Sequence, residues 1–243
     1  MMSAMANPGQ PPNSEGICSP GLRVTGVLGG VGSGKSTVAR LLAKQLPAAL
    51  LDADQIVAEL LLCRPIAEQI SQLLGPGLTT PDGILSRSAL ADRVFGDKNA
   101  LRLLESVLHP AVRRELRAGL LACEQSASGW AVLDVPLLLE NGLHRLCDLL
   151  VYVDVDDDLR AQRAMQRHGW SREQWQQREA AQIPVHLKKM AADVILSNVS
   201  GVDHLCEQVV EILPQLQTLP PRPLRDRWPS PEPPDFWRPH TNF

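Results

Sequence analysis

No Cys-x-x-Cys pair occurs in this sequence: Cys18, Cys63, Cys123, Cys147 and Cys206 are odd in number and widely spaced. That spacing suits neither a cysteine-based zinc site nor a disulfide framework, so free thiols in a reducing cytoplasm are expected. No apolar run approaches the ~18 residues that a membrane-spanning helix needs. The first twenty residues carry no Lys or Arg and no apolar h-region, and no signal peptide is expected there. An excess of basic charge is missing too, since the formal net charge of -3 disfavours a protein that coats nucleic acid. The dinucleotide fingerprint G-x-G-x-x-G is broken, because Gly30 and Gly32 are followed by Lys35 where a third glycine is required. The D-x-x-G and N/T-K-x-D segments of guanine-nucleotide switches are also absent.

What is present is enough for one large α/β domain: 243 residues, 44% of them apolar. Apolar, β-branched runs at 22–28, 48–51, 130–135 and 149–155 read as buried strands. Helical patterns separate them, as at 36–46, where Val38, Leu41, Leu42 and Leu46 recur on one face, and at 55–62. The fold class expected is α/β, with a central parallel sheet and helices on both faces. Residues 85–125 lack strand signals and read as several helices forming a mobile substrate-side subdomain. Residues 1–20, rich in Pro, Gly, Ser and Asn, read as a disordered extension. Eight prolines between Pro220 and Phe243, with Trp228 and Trp237 among them, predict a flexible tail over 218–243 that holds neither helix nor sheet ladder. A docking segment for a partner groove is the alternative for that tail.

The pattern G-x-x-x-x-G-K-S/T is met by Gly29, Gly34, Lys35 and Ser36, between an apolar strand and an amphipathic helix. Glycines let backbone N–H groups turn inward around phosphate oxygens without a Cβ clash. Gly30, Val31, Gly32, Ser33, Gly34, Lys35, Ser36 and Thr37 are therefore the candidate ATP-binding residues. Lys35 would bridge the β- and γ-phosphates, the Ser36 hydroxyl would ligate Mg2+, and the helix that follows points its positive end at the anion. With the NAD and guanine-nucleotide signatures excluded, the loop serves an ATP enzyme or an ATP-driven module.

Carboxylates stand where such a loop can use them. Strand alternation through 48–54 would put Asp52 and Asp54 on one face, at the carboxyl edge where open α/β sheets bind ligands. An acid there could take a proton from an attacking hydroxyl or position magnesium, or Asp52 could simply cap the helix that follows. The run from Trp130 to Val135 delivers Asp134 to a comparable place. Arg160, Arg163 and Arg167 follow the 149–155 strand at helical spacing and can share a face, solvated or facing a ligand.

Taken together, these segments resemble the dephospho-CoA kinase family. Its T-G-G-I-G-S-G-K-S-T-V-A is matched from Gly29 to Ala39, with Leu28 in place of the threonine. Its D-A-D is matched by Asp52 to Asp54, and its D-G-x-L-x-R-x-x-L and following Phe by Asp82, Gly83, Leu85, Arg87, Leu90 and Phe95. His109, Pro110, Val112 and Arg113 match the H-P-x-I/V-R part of L-x-H-P-x-I/V-R, with Leu108 directly before the histidine, and Asp134 to Glu140 with Gly142 and Leu143 match D-V-P-L-L-x-E-x-G-L. Arg178, Gln182, Lys188, Ala192, Asp193, Ile195 and Asn198 complete a sixth segment. The segments lie in order over about 22–216, so the two tails fall outside the resemblance.

The resemblance implies a P-loop NTPase three-layer fold over 21–217, with a helical CoA-side insertion at about 76–125 and a lid at about 157–190. It implies transfer of the ATP γ-phosphoryl to the ribose 3′-hydroxyl of dephospho-CoA, giving CoA and ADP, the last step of coenzyme A biosynthesis. Asp54 would then be the base or hydroxyl-orienting group. Lys35, Mg2+ and the lid arginine Arg163 would offset charge on the transferred group. Asp54, Arg87, His109, Arg113 and Asp134 would face the acceptor, with His109 equally readable as a satisfied helix-turn histidine. Another P-loop kinase of small acceptors, acting on a nucleoside or nucleoside monophosphate, is the nearest alternative. A catalytically silent nucleotide-binding adaptor is the second. Dephospho-CoA is the one partner implied; nothing points to nucleic acid, a membrane or a particular oligomeric state.

Overall fold

The computed structural model describes residues 21–228. Its chain order is β1 (Arg23–Gly29), α1 (Lys35–Gln45), β2 (Ala49–Asp52), α2 (Ala53–Leu60), α3 (Arg64–Leu74), α4 (Arg87–Val94), α5 (Lys98–Gln125) and β3 (Trp130–Asp134). It continues with β4 (Leu149–Asp154), α6 (Asp157–His168), α7 (Arg172–Ala180), α8 (Val185–Met190), β5 (Val194–Ser197) and α9 (Val202–Gln217). All four strand pairings are parallel, in the order β2-β3-β1-β4-β5. Parallel strands covered on both faces must be apolar on both, and the alternation divides them into two cores. Val24, Leu28, Ala131, Leu133, Leu150 and Tyr152 point to one face, while Val27, Trp130, Val132, Val151 and Val153 point to the other. The doubly covered sheet of the sequence reading is therefore present. β5 is an element that reading missed, because Val-Ile-Leu-Ser is short and its Ile195 is largely exposed at the sheet edge.

Helix α5 joins two parts of the molecule. Leu116, Leu120 and Cys123 enter the sheet core, while Leu104 and Ala111 pack with α3 and α4 in a separate helical core. The stretch read as several helices is thus two, α4 and the 28-residue α5, which runs on through Pro110. His109 sits inside that helix and not at a helix turn. The region expected to form a lid, about 157–190, folds as α6, α7 and α8, with a small core of Ala161, Ala164 and Trp175.

A boundary at 217/218 does not match the packing. Arg222 bridges Leu22 in antiparallel sense, residues Leu224–Asp226 form a 3-10 turn, and Trp228 is 2% exposed in the sheet core. The bond from Arg227 Nη1 to Asp148 Oδ2, at 2.6 Å, holds this segment to the amino end of β4. Proline denies the segment a ladder, but side-chain anchors do not need one. The remainder of the expected tail, including Trp237, lies outside the described residues, as do the N-terminal extension and Cys18.

Candidate active site

β1 ends at Gly29 and α1 begins at Lys35, so the glycine loop spans the gap at the carboxyl edge of the sheet. Gly34 takes a left-handed conformation (φ 90°), and a Cβ there would also collide with the Asn198 amide. That amide donates to Ser33 O at 2.9 Å and fixes the turn. No side chain caps α1, whose first N–H groups are thus left for an anion. Lys35 Nζ donates to the carbonyls of Gly29 and Gly30 at 3.1 and 2.9 Å. Burial, and then the nearby Lys188 ammonium, pull the Lys35 pKa from 10.5 down to about 8, against the pull of Asp134 and Glu179. A phosphate would supply the negative charge that this lysine is short of.

Asp52 and Asp54 do not share a strand face. The strand stops at Asp52, which caps α2 by accepting from the N–H groups of Asp54 and Gln55 at 3.0 and 3.1 Å. Helix has replaced alternation from Ala53 on, and Asp54 lies in the first turn of α2. Burial, with the Asp52 carboxylate next, raises the pKa of Asp54, while Lys35 and Arg167 partly offset the rise. Asp134 faces Asp52 across the β2–β3 ladder. Burial raises its pKa as well, with a hydrogen bond from the Ser36 hydroxyl acting in the opposite direction.

Two cavities meet at these carboxylates. The first, about 590 Å3, is lined by Val31, Gly32 and Gly34 to Thr37 of the loop, by Asp134, by Arg163 and Arg167 of α6, and by Arg178 of α7. The second, about 580 Å3, opens onto α5 through Arg102, Glu105, Ser106, His109 and Arg113. Asp54, Pro136 and Leu137 line both. Arg163 Nη1 is buried yet has no hydrogen-bond partner among the described residues. A buried guanidinium N–H without an acceptor is costly unless something else supplies one.

Most of the residues expected at the site therefore converge, with three exceptions. Arg87 stands exposed at the start of α4 and lines neither cavity. Gly30 lies under the Arg160 guanidinium, and the Ser33 side chain is fully buried, so neither reaches the cavity wall. Arg102, Glu105 and Ser106 were missed. Their signal was legible, since 102, 105/106, 109 and 113 recur on one helical face. Trp170, which lines the first cavity, stacked on His168 at 4.2 Å and capped by Arg178 at 4.0 Å, was missed as well.

A parallel sheet of this strand order, a glycine loop feeding a helix, and arginines of α6 and α7 lining the cavity beside the loop define a P-loop nucleotide-binding protein of the kinase type. Residues 23–204 match the family model for dephospho-CoA kinase. A dephospho-CoA kinase of Carboxydothermus hydrogenoformans is 36% identical over 193 residues, covering 79% of this chain and 93% of that protein. One of Symbiobacterium thermophilum is 40% identical over 189 residues, covering 77% and 79% respectively. A crystal structure from Thermus thermophilus superposes with TM-score 0.66 at 33% identity, over 81% of this chain and 98% of that one. The chain belongs to the dephospho-CoA kinase family.

Proposed function

We propose that this protein transfers the γ-phosphoryl group of ATP to the ribose 3′-hydroxyl of dephospho-CoA, releasing CoA and ADP. The observation that carries this reading is the position of Asp54 in the wall common to the phosphate-loop cavity and the α5 cavity. A donor held on Lys35 and an acceptor held against α5 would meet at that carboxylate. Asp54 orients the attacking hydroxyl and accepts its proton; for a loose, metaphosphate-like transition state, orientation is the larger part of that role. Lys35 and Arg163 face the charge that spreads over the transferred group, and the unpartnered Nη1 of Arg163 supports that assignment. His109 and Arg113, with Arg102 beside them, hold the acceptor from α5.

The oxygens of Ser36 and Asp134 suit a hard cation such as Mg2+, and their contact brings two donors together beside the loop. Among the described residues no cluster of three or more metal-binding side chains occurs. When bound, the ion supplies charge neutralisation at the β- and γ-phosphates. The four described cysteines are free thiols, which supports a cytoplasmic location, and no described helix is long and apolar enough to cross a membrane.

Coupled ADP release tests the reading directly. ADP should appear with dephospho-CoA, and not with adenosine, uridine or AMP, and the product should carry its new phosphate on the 3′-oxygen. Turnover of a nucleoside or of AMP in place of dephospho-CoA would transfer the chain to the alternative kinase class.

A further inference from the structure

The peptide of Val31, at the tip of the phosphate loop, is held on both sides by the lid. Its N–H donates to Glu179 Oε2 at 2.8 Å, and its carbonyl accepts from Trp175 Nε1 at 3.1 Å and Arg160 Nη1 at 3.3 Å. The three holders are tied to one another. Arg160 Nη1 donates to Glu179 Oε1 at 2.6 Å, and the Arg160 guanidinium lies 5.3 Å from the Trp175 ring centroid. Asp157 accepts from the other end of the guanidinium at 2.7 Å, and Arg160 is 1% exposed. Val31 also packs its side chain against the small lid core of Ala161, Ala164 and Trp175. The loop leaves no slack for this contact, because a Cβ on Gly30 would collide with the Arg160 guanidinium and one on Gly32 with the Arg160 carbonyl.

Two of the holders adjoin a cation in the wall of the phosphate cavity. Arg160 precedes Arg163 by one turn of α6, and Glu179 follows Arg178 on α7. Fixing Arg160 and Glu179 on Val31 therefore sets the rotation of both helices about their axes. We infer that Arg160, Trp175 and Glu179 form a latch on the Val31 peptide that registers the lid against the phosphate loop. They act as positioning residues, aiming Arg163 and Arg178 at the phosphoryl group being transferred. This rests on the phosphotransferase reading above. The misplacement of a charge-stabilising group by even ~1 Å can cost as much as ~10²-fold in rate, so the latch is expected to show in kcat.

The test uses the full chain with Trp175→Phe, Glu179→Ala and the double variant. Steady-state kinetics with ATP and dephospho-CoA are run beside amide exchange of the loop peptide and thermal unfolding. Glu179→Ala should lower kcat about tenfold, and Trp175→Phe, which removes the indole donor and trims the buried ring to a phenyl, about threefold. KM for dephospho-CoA should stay within about twofold in both, because the acceptor cavity lies elsewhere; a merely structural defect would spoil both parameters. The double variant should lose little more than Glu179→Ala alone, since both residues act through one peptide. Exchange of the Val31 amide should quicken about tenfold or more in Glu179→Ala. Unchanged kcat in Trp175→Phe, fully multiplicative losses in the double variant, or unchanged Val31 exchange would each overturn the latch. The two readings fail separately. Absence of turnover in the unmutated protein would sink the reaction, while the exchange measurement would still decide the latch.

Discussion

Arg227→Ala should unfold this protein more easily than any sequence pattern suggests. Arg227 and Asp148 are a buried pair, with side chains 3% and 5% exposed. Removing one partner of such a pair typically costs about 3–5 kcal/mol, because the other charge stays buried. Here Asp148 keeps some company: Arg222 Nε lies 2.7 Å from Oδ1 and the Val24 N–H donates to Oδ2 at 2.8 Å. Against that, the carbonyls of Leu22, Leu146 and Arg222 all lose a donor, each worth about 1 kcal/mol. The two corrections roughly cancel, leaving an expected loss of about 3–5 kcal/mol out of a total of about 5–15. Urea unfolding should show it as a lowered midpoint with an unchanged slope. Trp228→Ala, which empties a buried indole site, should cost a similar or larger amount, about 3–5 kcal/mol. Folded-state kcat should stay within about twofold of normal, because the segment grips the amino ends of β1 and β4 while the phosphate loop leaves the carboxyl end of β1. A loss below about 1 kcal/mol in both variants would show that residues 219–228 merely lie on the surface.

Asp54→Asn should lower kcat by about 10²–10⁴-fold, measured by ADP release, with little change in fold. With Asp54 intact, burial displaces the acid limb of the pH–rate profile above the usual carboxylate range, and activity falls as the pH drops through that limb. Lys35→Met should abolish turnover and yet stabilise the ligand-free protein at neutral pH, since a desolvated ammonium is removed. Folding lowers the Lys35 pKa from 10.5 to about 8, so between those values the unfolded chain holds a proton that the folded chain has lost. Stability of the unmutated protein should therefore rise with pH across that window, and Lys35→Met should flatten the rise in urea titrations. Arg87→Ala, at a residue that lines neither cavity, should leave kcat/KM within about twofold of normal; a loss of about tenfold or more would return Arg87 to the acceptor site.

Local chemistry was legible wherever it depends on consecutive residues. The loop from Gly29 to Ser36, the buried strands and the helix behind Lys35 follow from glycine freedom, β-branching and helical period, which are properties of neighbours in sequence. The pairing of Ser36 with Asp134 was not legible, because 98 residues of chain (134 − 36) separate them. The expected face shared by Asp52 and Asp54 failed for a definite reason. Alternation holds only while the strand lasts, and Asp52 ends it by capping α2. Likewise, the helical spacing of Arg160, Arg163 and Arg167 could not say which one would turn to the loop and which to the ligand.

By itself, then, the sequence determined that a glycine loop joins a strand to the helix begun by Lys35, that the sheet is parallel, and through six ordered segments, which family the chain joins. Tertiary structure alone decided that Asp54 stands between two cavities, that Arg160 is spent on Val31, and that a proline-rich end is pinned by Arg227 and Trp228. These outcomes depend on burial and on partners distant in the chain. A residue type and its spacing carry no record of either.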